Sequence, residues 1–280
     1  MDVSIIIRTR DEEKNVGNCL NALTRQSKMP REIIITDNMS KDNTLKIVRS
    51  YQKILPIKIL MNPVLGFASG LNLGAKKASC NYIAFLSADC VPNDDWLLNL
   101  TNFMKKNKCA TVQGEEKLFP DNIIHHVLSA EQKSTQGTQQ LEYFNCTNTL
   151  FDKNILKKFL PFKYVGKYLY GEDTLMSLDY KKEGYKSYLI TTAFVKHSKF
   201  DSKEEFKDRV YKHSKSSVHF FFVAPLHPRI YLNSIYWVIK EFFMFVSKRD
   251  ARFLKVSWWR FTATVKGTLS GLFELSLIDK

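Results

Sequence analysis

The chain of 280 residues has few cysteines, and they do not show the spacings in which cysteines usually act together. Its five cysteines are odd in number, widely scattered and without a Cys-x-x-Cys pair. This usage argues against a disulfide framework and against a zinc site, and it fits a reducing compartment such as the cytosol. The first residues run straight into a strand-like segment without a basic start or a small-residue cleavage site. We therefore expect no secretory signal peptide.

Long apolar runs are also scarce. The segment from Ile230 to Val246 is too short for a membrane span, and Asn233, Lys240 and Glu241 interrupt it. No zinc-finger, RNP-like or helix-turn-helix pattern is evident, so only the net charge of +14 favours a nucleic-acid partner. We expect neither a membrane-spanning helix in this segment nor binding to nucleic acid.

Apolar and basic residues are plentiful. Hydrophobic residues make up 44% of the chain and aromatics 13%, enough for one large domain or a domain with an appendage. From Lys196 to Lys280, sixteen Lys and Arg face eight Asp and Glu, and beyond Pro225 aromatics alternate with basic residues. Such a tail is typical of attachment to an anionic membrane surface. The alternative is that its helices pack on the remainder of the protein or form a homodimer.

Buried strands alternate with helices over the first hundred residues. The strands are expected at Val3–Ile7, Glu32–Thr36, Ile57–Leu60 and Tyr82–Leu86, and the helices at Glu12–Arg25, Lys41–Lys53, Ser69–Ala78 and Asp94–Lys106. Asp11 and Ser40 are the predicted N-caps of the first two helices. This order predicts an α/β fold with a mostly parallel central sheet and helices on both faces. Ligands of such sheets bind outside the carboxyl ends of the strands.

Three polar clusters follow predicted strands and therefore share that edge. They are Arg8–Asp11, Asp37–Asn38 and Ser87–Asp89. Asp89 ends an apolar run, and one carboxylate there suits a Mg²⁺ or Mn²⁺ ion that is bound mainly by substrate phosphates. The alternative is that Asp89 caps the helix beginning near Pro92.

Five sequence blocks match a known family in order and spacing. They are Val3–Glu12, Glu32–Thr44, Gly66–Asn72, Leu86–Asp89 and Gly171–Thr174. In these blocks the chain resembles family 2 glycosyltransferases over roughly its first two hundred residues. The resemblance implies the Rossmann-like GT-A fold, a nucleotide-diphosphate sugar as co-substrate and a divalent Mn or Mg ion.

The resemblance also implies a donor site. Family members hold the nucleotide base with the loop after the first strand and the Asp that ends the second, here Thr9, Arg10, Asp11 and Asp37. The carboxylate of Asp37 is suited to accept the ring N–H of uracil or thymine, and the Arg10 guanidinium to stack on the base. Alternatively, Asp11 is a helix cap and Arg10 a solvated loop charge. The further donor-binding residues implied are Asn72, Ser87, Ala88 and Asp89.

The chain departs from the family at the metal motif, where Ser87 replaces the first Asp of Asp-x-Asp. The resemblance implies that Asp89 contacts the metal and that the first position meets the ribose, a task that a serine hydroxyl can share. The substitution is expected to weaken metal affinity. His197 is implied as a ligand of the metal or of the diphosphate; the alternative is an ordinary structural or exposed histidine.

The resemblance places the catalytic base at Asp173, with Glu172 beside it. In an inverting transfer Asp173 takes the proton of the acceptor hydroxyl, and repulsion from Glu172 together with burial raises its pKa. The two acids can at the same time open the helix Thr174–Lys182 through its dipole. Asn148 is implied as an acceptor-binding residue, whereas the spacing of Trp96 on its helix indicates core packing.

We expect three functional regions: a donor-binding half over 1–115, an acceptor-binding half with the base over 116–200, and a helical membrane-association or dimerisation region over 201–280. The expected activity is an inverting transfer from a UDP- or dTDP-linked sugar to a glycan or a lipid-linked acceptor. The resemblance suggests bacterial polysaccharide or lipopolysaccharide synthesis, in the cytoplasm and peripheral on the inner face of the cell membrane. The alternative is a non-catalytic relative that binds sugar nucleotides or glycans, which the serine at position 87 motivates.

Overall fold

The structure, a computed structural model, describes residues 1–64, 66–118, 122–131, 137–162, 172–198, 202–223, 236, 239–240, 243–247 and 249–278. The chain divides into two compact units. The sheet unit comprises Met1–Lys117, Ser134–Lys163 and Glu172–Ser198, and the helical unit comprises Leu118–Lys133, Tyr164–Gly171 and Lys199–Lys280. The three functional regions expected from the sequence stay a prediction.

Strands and helices alternate through the first half of the chain, as expected. The strands in the described residues are β1 Val3–Thr9, β2 Glu32–Asp37, β3 Ile57–Met61, β4 Tyr82–Leu86, β5 Cys90–Pro92, β6 Thr111–Lys117, β7 Thr138–Leu141, β8 Asn148–Asp152 and β9 Ser187–His197. The helices are α1 Val16–Thr24, α2 Thr44–Ser50, α3 Phe67–Lys77, α4 Trp96–Asn107, α5 Ile123–Glu131, α6 Lys153–Leu156, α7 Glu172–Lys182, α8 Lys203–Val223 and α9 Ala251–Ile278.

The nine strands of the described residues form one sheet in the order β3-β2-β1-β4-β8-β6-β9-β5, with β7 on β9. The first four strands are parallel, as predicted, because each is joined to the next by a crossover helix. β8 follows β7 without such a helix and runs antiparallel to both β4 and β6. The sheet is therefore parallel in its first half and mixed in its second.

Hydrophobic cores cover both faces of the sheet. Ile5 and Ile7 of β1 point to one face, where they join a buried cluster with side chains of α1, α2 and α4. Ile6 points to the other face, in a second cluster with side chains of α3, α6 and α7. The alternation of side chains along β1 thus explains why helices are required on both faces.

A buried carboxylate ties together the edge at which the parallel strands begin. Glu32 accepts hydrogen bonds from the Ser4 hydroxyl at 2.7 Å, the Ser79 N–H at 2.6 Å and the Lys58 ammonium at 2.7 Å. Burial by itself would raise its pKa, but these hydrogen bonds outweigh burial and lower the pKa of Glu32 to about 2. The polar residues of interest lie at the opposite edge, where β1, β2 and β4 end.

The helical unit is built on the packing of α9 against α8. Phe206 of α8 and Phe253 and Val256 of α9 lie in a buried cluster that also includes side chains of α5. At Gly267 and Gly271 a Cβ atom would meet main-chain oxygens of α8, so the two helices approach closely there. This face of α9 therefore packs on helices of its own unit, and the expectation that the tail packs on the remainder of the protein stays a prediction.

The opposite face of α9 is apolar and exposed. Six of its side chains recur at helical spacing and are each at least 41% exposed: Leu254, Trp258, Phe261, Val265, Leu269 and Leu272. We call them the α9 stripe. Among the described helices, none combines the length and the hydropathy that crossing a bilayer requires. Most of the segment Ile230 to Val246 lies outside the described residues.

The predicted helix caps are wrong. Helix α1 begins at Val16, and Asp11 lies four residues before its N-cap, Asn15, in a left-handed conformation with φ 53°. Ser40 likewise precedes the N-cap of α2, Asn43. Both side chains bond instead within the loops that follow β1 and β2, as described below.

Candidate active site

Asp89 lies in a tight turn between β4 and β5. The Cys90 N–H donates to the Ser87 carbonyl at 3.1 Å, which closes the turn. β5 then pairs antiparallel with β9, where Cys90 stands opposite His197, and the Ser198 N–H donates to the Asp89 carbonyl at 3.0 Å. This pairing brings Asp89 and His197 side by side. Asp89 does not cap α4, whose N-cap is Asp95.

His197 is held between two carboxylates. Its Nε2 lies 3.1 Å from Asp89 Oδ2 and its Nδ1 lies 2.8 Å from Glu116 Oε2. The other carboxylate oxygen of Glu116 accepts a hydrogen bond from Asn145 Nδ2 at 2.7 Å. An imidazole ring carries at most one positive charge, so two carboxylates leave this buried cluster with a negative balance that favours a cation.

The donor atoms fit a divalent cation. Ligand atoms of Asp89, His197 and Cys90 all lie within 4.8 Å of one another. Carboxylate oxygen and imidazole nitrogen are common ligands, and the bond from His197 to Glu116 is the outer contact that usually orients a metal-bound histidine. The structure thus brings together both residues predicted to bind metal. Their role as ligands stays a prediction.

A β-bulge in the pairing of β6 with β9 places Glu116. The register shifts between Gly114 and Glu115, so that Glu116 stands opposite Val195, two residues before His197. A Cβ atom at Gly114 would lie 2.7 Å from the Ala193 carbonyl oxygen and from the Asn148 amide. A larger residue would therefore disturb the strand that presents Glu116.

Glu172 and Asp173 begin α7 at the same edge of the sheet unit. The Asp173 carboxylate accepts a hydrogen bond from the Thr174 N–H at 2.8 Å. Burial raises the pKa of Asp173 to about 6 against the opposing effect of this hydrogen bond, and the charge of Glu116 adds to the rise. Since Glu116 is also bonded to His197, the two predicted catalytic acids lie close to the predicted metal residues.

A buried thiol indicates the same proximity. The pKa of Cys146 is raised well above its ordinary value, by burial first and then by the charges of Asp173 and Glu172. The next residue, Thr147, accepts a hydrogen bond from the Ser87 N–H through its carbonyl at 2.8 Å. The segment Cys146–Thr147 therefore lies within electrostatic range of the start of α7 and is hydrogen-bonded to the turn that carries Asp89.

The loops after β1 and β2 form the other side of this edge. The Asp37 carboxylate accepts hydrogen bonds from the Thr9 hydroxyl at 2.8 Å and from the Ser40 N–H and hydroxyl at 2.8 and 2.6 Å. Thr9 and Asp37 are wholly buried and bonded to each other, and their predicted contact with the base stays a prediction. They shape the loop that presents Arg10 and Asp11, both of which are exposed.

The carboxylate of Asp11 links the two loops. It accepts a hydrogen bond from the Lys41 N–H at 2.7 Å, while its own N–H donates to the Ser40 hydroxyl at 2.9 Å. This explains why Asp11 does not cap α1: its carboxylate serves the second loop. Arg10 and Asp11 remain the two predicted base-binding residues that reach solvent.

The two asparagines predicted to bind donor or acceptor make hydrogen bonds within the protein. Asn148 is wholly buried; its Oδ1 accepts from the indole N–H of Trp96 and its Nδ2 donates to the Glu115 carbonyl at 3.2 Å. Asn72 binds the main chain of Phe162 with both ends of its amide, at 2.7 and 3.3 Å. Both amides are therefore engaged within the protein, and the predicted contacts of Asn148 with acceptor and of Asn72 with donor stay predictions. Trp96 is buried, as predicted.

Ser87 and Ala88 differ in what they expose. Ser87 is partly exposed, so its hydroxyl remains available as the predicted ribose contact. Ala88 is 3% exposed, and its methyl group belongs to the core cluster on the α1 face. For Ala88 the predicted donor contact is thus confined to its main chain.

With this geometry in place, comparison with known proteins assigns the family. A family model described as glycosyl transferase family 2 matches residues 4–160, more than half of the chain. The chain belongs to this family. It is a glycosyltransferase, and membership does not favour the non-catalytic alternative.

Curated relatives agree with this assignment. WfaP of Escherichia coli, named as a UDP-Glc:alpha-D-GlcNAc-diphosphoundecaprenol beta-1,3-glucosyltransferase, is 28% identical over 261 residues, which cover 89% of this chain and 99% of WfaP. Glycosyltransferase AglE of Haloferax volcanii is 35% identical over 99 residues, 34% of this chain and 33% of AglE. The glycosyltransferase chain thus spans nearly all of one relative and about a third of the other.

Solved structures confirm the predicted GT-A fold class. The mannosyltransferase PcManGT from Pyrobaculum calidifontis, in complex with GDP-Man and Mn²⁺, has a TM-score of 0.67 at 14% identity over 97% of this chain and 87% of that chain. S. aureus TarS 1-349 in complex with UDP-GlcNAc has a TM-score of 0.56 at 18% identity over 79% and 67%. At these identities the likeness establishes the fold of the glycosyltransferase.

Two residues of this glycosyltransferase site were missed in the sequence: Glu116 and Asn145. Glu116 ends a strand-like run with a second acid beside it, and acids directly after a strand were the signal that drew attention to Asp89. The same signal could have identified Glu116. Asn145 carries no comparable pattern, because its importance comes from a bond to a residue 29 positions away.

Proposed function

We propose that this glycosyltransferase inverts the anomeric centre while it moves a sugar from a UDP- or dTDP-linked donor to a hydroxyl of a glycan or lipid-linked acceptor. The observation that carries the proposal is the cluster Asp89, His197 and Glu116 with Asp173 beside it. A cation-binding carboxylate and a carboxyl with a pKa of about 6 then lie at one edge. An inverting transfer needs both groups close to the same anomeric carbon.

Asp173 is the proposed base. A carboxyl with a pKa near 6 is largely ionised at neutral pH and still basic enough to take a proton in the transition state. As the acceptor oxygen bonds to the anomeric carbon, the bond from that carbon to the diphosphate breaks and Asp173 takes the hydroxyl proton.

Asp89 and His197 would hold the divalent ion. When bound, a Mn²⁺ or Mg²⁺ ion supplies positive charge to the departing diphosphate. Glu116 orients His197 through Nδ1, so that Nε2 faces the same space as the Asp89 carboxylate. The Ser87 hydroxyl is the proposed ribose contact, and Arg10 with Asp11 the proposed contacts of the base.

The acceptor and the cellular setting are proposed from relatives and from the α9 stripe. The name of WfaP describes an acceptor linked to diphosphoundecaprenol, and we propose a lipid-linked acceptor of this class in bacterial polysaccharide or lipopolysaccharide synthesis. Such an acceptor is reached at the cytoplasmic side of the cell membrane. A homodimer stays a prediction.

The α9 stripe supports peripheral attachment to an anionic membrane. Its apolar side chains extend along the helix without a charged residue among them, and the exposed Arg252, Lys255 and Lys266 lie beside it. The rings of Trp258 and Phe261 stack with centroids 6.0 Å apart. Aromatic side chains beside basic ones are typical of helices that lie in the headgroup region of anionic bilayers.

The activity is tested by measuring donor hydrolysis and transfer with UDP-, dTDP- and GDP-sugars, with and without Mn²⁺. We expect one donor class to be hydrolysed in the presence of Mn²⁺, and Asp89→Asn to lose metal-dependent donor binding by about tenfold or more. Asp94→Asn, an exposed acid in the next loop, is the matched control and should match the wild type. A protein that binds a donor but neither hydrolyses nor transfers it would contradict the proposal.

Membrane attachment is tested by sedimentation with vesicles. The double variant Trp258→Ser/Phe261→Ser should bind anionic vesicles at least about thirtyfold more weakly, because two large apolar side chains no longer leave water. Ile54→Ser/Met61→Ser removes two exposed apolar side chains of the sheet unit and serves as the control. Equal sedimentation of the two variants would remove the stripe as the attachment surface.

A further inference from the structure

Cys90 is a buried thiol that faces the proposed cation site. It is the first residue of β5 and stands opposite His197 in an antiparallel pair, so the two side chains lie on the same face of the sheet. Its Sγ is 3.9 Å from Asp89 Oδ1. The scattered cysteines argued against a zinc site, because no second cysteine stands at a metal-binding spacing from Cys90.

Three different donor atoms converge at this point: a carboxylate oxygen, an imidazole nitrogen and a sulfur. All lie within 4.8 Å of one another, and within the described part of the chain this is the one group of three such residues. Ligand atoms around a tetrahedral zinc ion are about 3.5 Å apart, as bond lengths of about 2.0 to 2.3 Å require. His197 Nε2 lies 3.1 Å from Oδ2 of Asp89 and Cys90 Sγ lies 3.9 Å from Oδ1, so the two side chains meet the two oxygens of one carboxylate at distances near that spacing.

The orientation of His197 is fixed independently of Cys90. Glu116 accepts the hydrogen bond from Nδ1, which leaves Nε2 to face Asp89. When Nε2 is deprotonated, the ring donates through Nδ1 and presents a lone pair on Nε2, and this is the form in which histidine binds metal. Three ligand atoms therefore face one space, with the outer carboxylate already in place.

We propose that Asp89, Cys90 and His197 form a three-ligand site for a thiophilic divalent cation such as Zn²⁺ or Cd²⁺. On binding, the Cys90 thiol and a protonated His197 Nε2 each lose their proton to the solvent, and the sulfur, the nitrogen and a carboxylate oxygen of Asp89 bond to the ion. Mg²⁺ prefers oxygen ligands and would use Asp89 without the sulfur, so the two kinds of cation compete for one carboxylate. The site shares Asp89 and His197 with the cation site of the proposed function and adds Cys90, and its occupation requires no sugar transfer.

The test follows the ultraviolet charge-transfer absorption of a cadmium–thiolate bond during Cd²⁺ titration of the full-length protein without donor. We expect a band that saturates at one ion per chain in the wild type and is lost in Cys90→Ala. Cys109→Ala removes another buried thiol, which lies outside the group of three, and should keep the band. Circular dichroism verifies that each variant is folded.

A second measurement covers the case in which Cys90→Ala does not fold. Cys90→Ser keeps the size of the side chain, and its affinity for Zn²⁺, measured by competition with a coloured chelator, should be at least tenfold weaker than that of the wild type. A wild-type protein without the cadmium band, a band that persists in Cys90→Ala, or unchanged zinc affinity in Cys90→Ser would overturn the proposal. A cadmium band in a protein that shows no transfer would contradict the proposed function alone.

Discussion

Replacing Asp173 with Asn tests the proposed base through two opposite effects in one variant. The amide still accepts the hydrogen bond from the Thr174 N–H but cannot take a proton, so transfer should fall by about 10²- to 10⁴-fold. Stability should change in the other direction. Burial raises the pKa of Asp173 from 3.8 to about 6, which means that the folded protein holds the ionised carboxylate at a cost.

The pH range of this cost follows from the two pKa values. Below pH 3.8 the carboxyl is protonated in both the folded and the unfolded chain. As the pH rises from 3.8 to about 6 the unfolded chain releases its proton first, so the free energy of unfolding falls, and above that range the deficit is constant. A pKa shift of this size corresponds to a loss of about 3 kcal/mol in the free energy of unfolding, and partial contact of the carboxylate with solvent reduces this loss to about 2 kcal/mol.

The assay compares urea unfolding of wild type and Asp173→Asn near pH 4 and at pH 8, without donor or metal, together with transfer at pH 8. The variant should be more stable by about 2 kcal/mol at pH 8 and nearly equal to the wild type near pH 4. Asp179→Asn, on the same helix, is the control and should show neither effect. Retained transfer would refute the proposed base, and a gain that does not depend on pH would refute the electrostatic reasoning.

Three further variants test the fold around the site. Glu32→Gln should lower the free energy of unfolding by about 2 kcal/mol at pH 7 but not near pH 2, because the ionised carboxylate of Glu32 stabilises the fold and is protonated as the pH falls through its pKa of about 2. Equal losses of stability in urea melts at both pH values would contradict this reasoning. Asn148→Ala should lower the free energy of unfolding by about 2 to 3 kcal/mol in the same melts, because the indole N–H of Trp96 loses its hydrogen-bond partner. An unchanged melt together with a raised KM for the acceptor substrate would instead support the predicted contact of Asn148 with that substrate. Gly114→Ala should weaken Mn²⁺-dependent donor binding measured by calorimetry, whereas the control Gly17→Ala, whose added Cβ would make an ordinary contact at 3.6 Å, should leave it unchanged. Equal donor affinities of the two variants would show that the bulge does not position the site.

The first half of the fold could be predicted because its signals are local. β1, β2 and β4 each contain a continuous apolar run, β3 is apolar except for Lys58, and a helical pattern follows each of the four, so this order leaves few topologies. The second half could not be predicted in the same way. β8 takes its antiparallel place between β4 and β6 through contacts distant in sequence, and the bulge at Gly114 depends on the carbonyl of a residue in another strand.

The sequence could draw attention to candidate site residues by their type and position, but it could not show which of them are buried. Asp89, Asp173 and His197 follow from the family blocks and from their place near the ends of strands or at the start of a helix. Asp37 and Asn148 occupy equally suggestive positions, yet the structure turns their side chains inward to neighbours that a single sequence does not reveal. The direction of a side chain at the end of a strand is set by tertiary contacts.

Two glycines determine which way a helix faces. Because a methyl group at Gly267 or Gly271 would clash with the backbone of α8, the absence of side chains at these two positions lets this side of α9 lie directly against α8. Trp258 and the other residues half a turn away therefore point outward in a direction fixed by atoms they never touch. A larger residue at either glycine would move α9 away from α8 or rotate it about its axis. The exposed side chains of the α9 stripe would then point in a different direction, although none of them would have been changed.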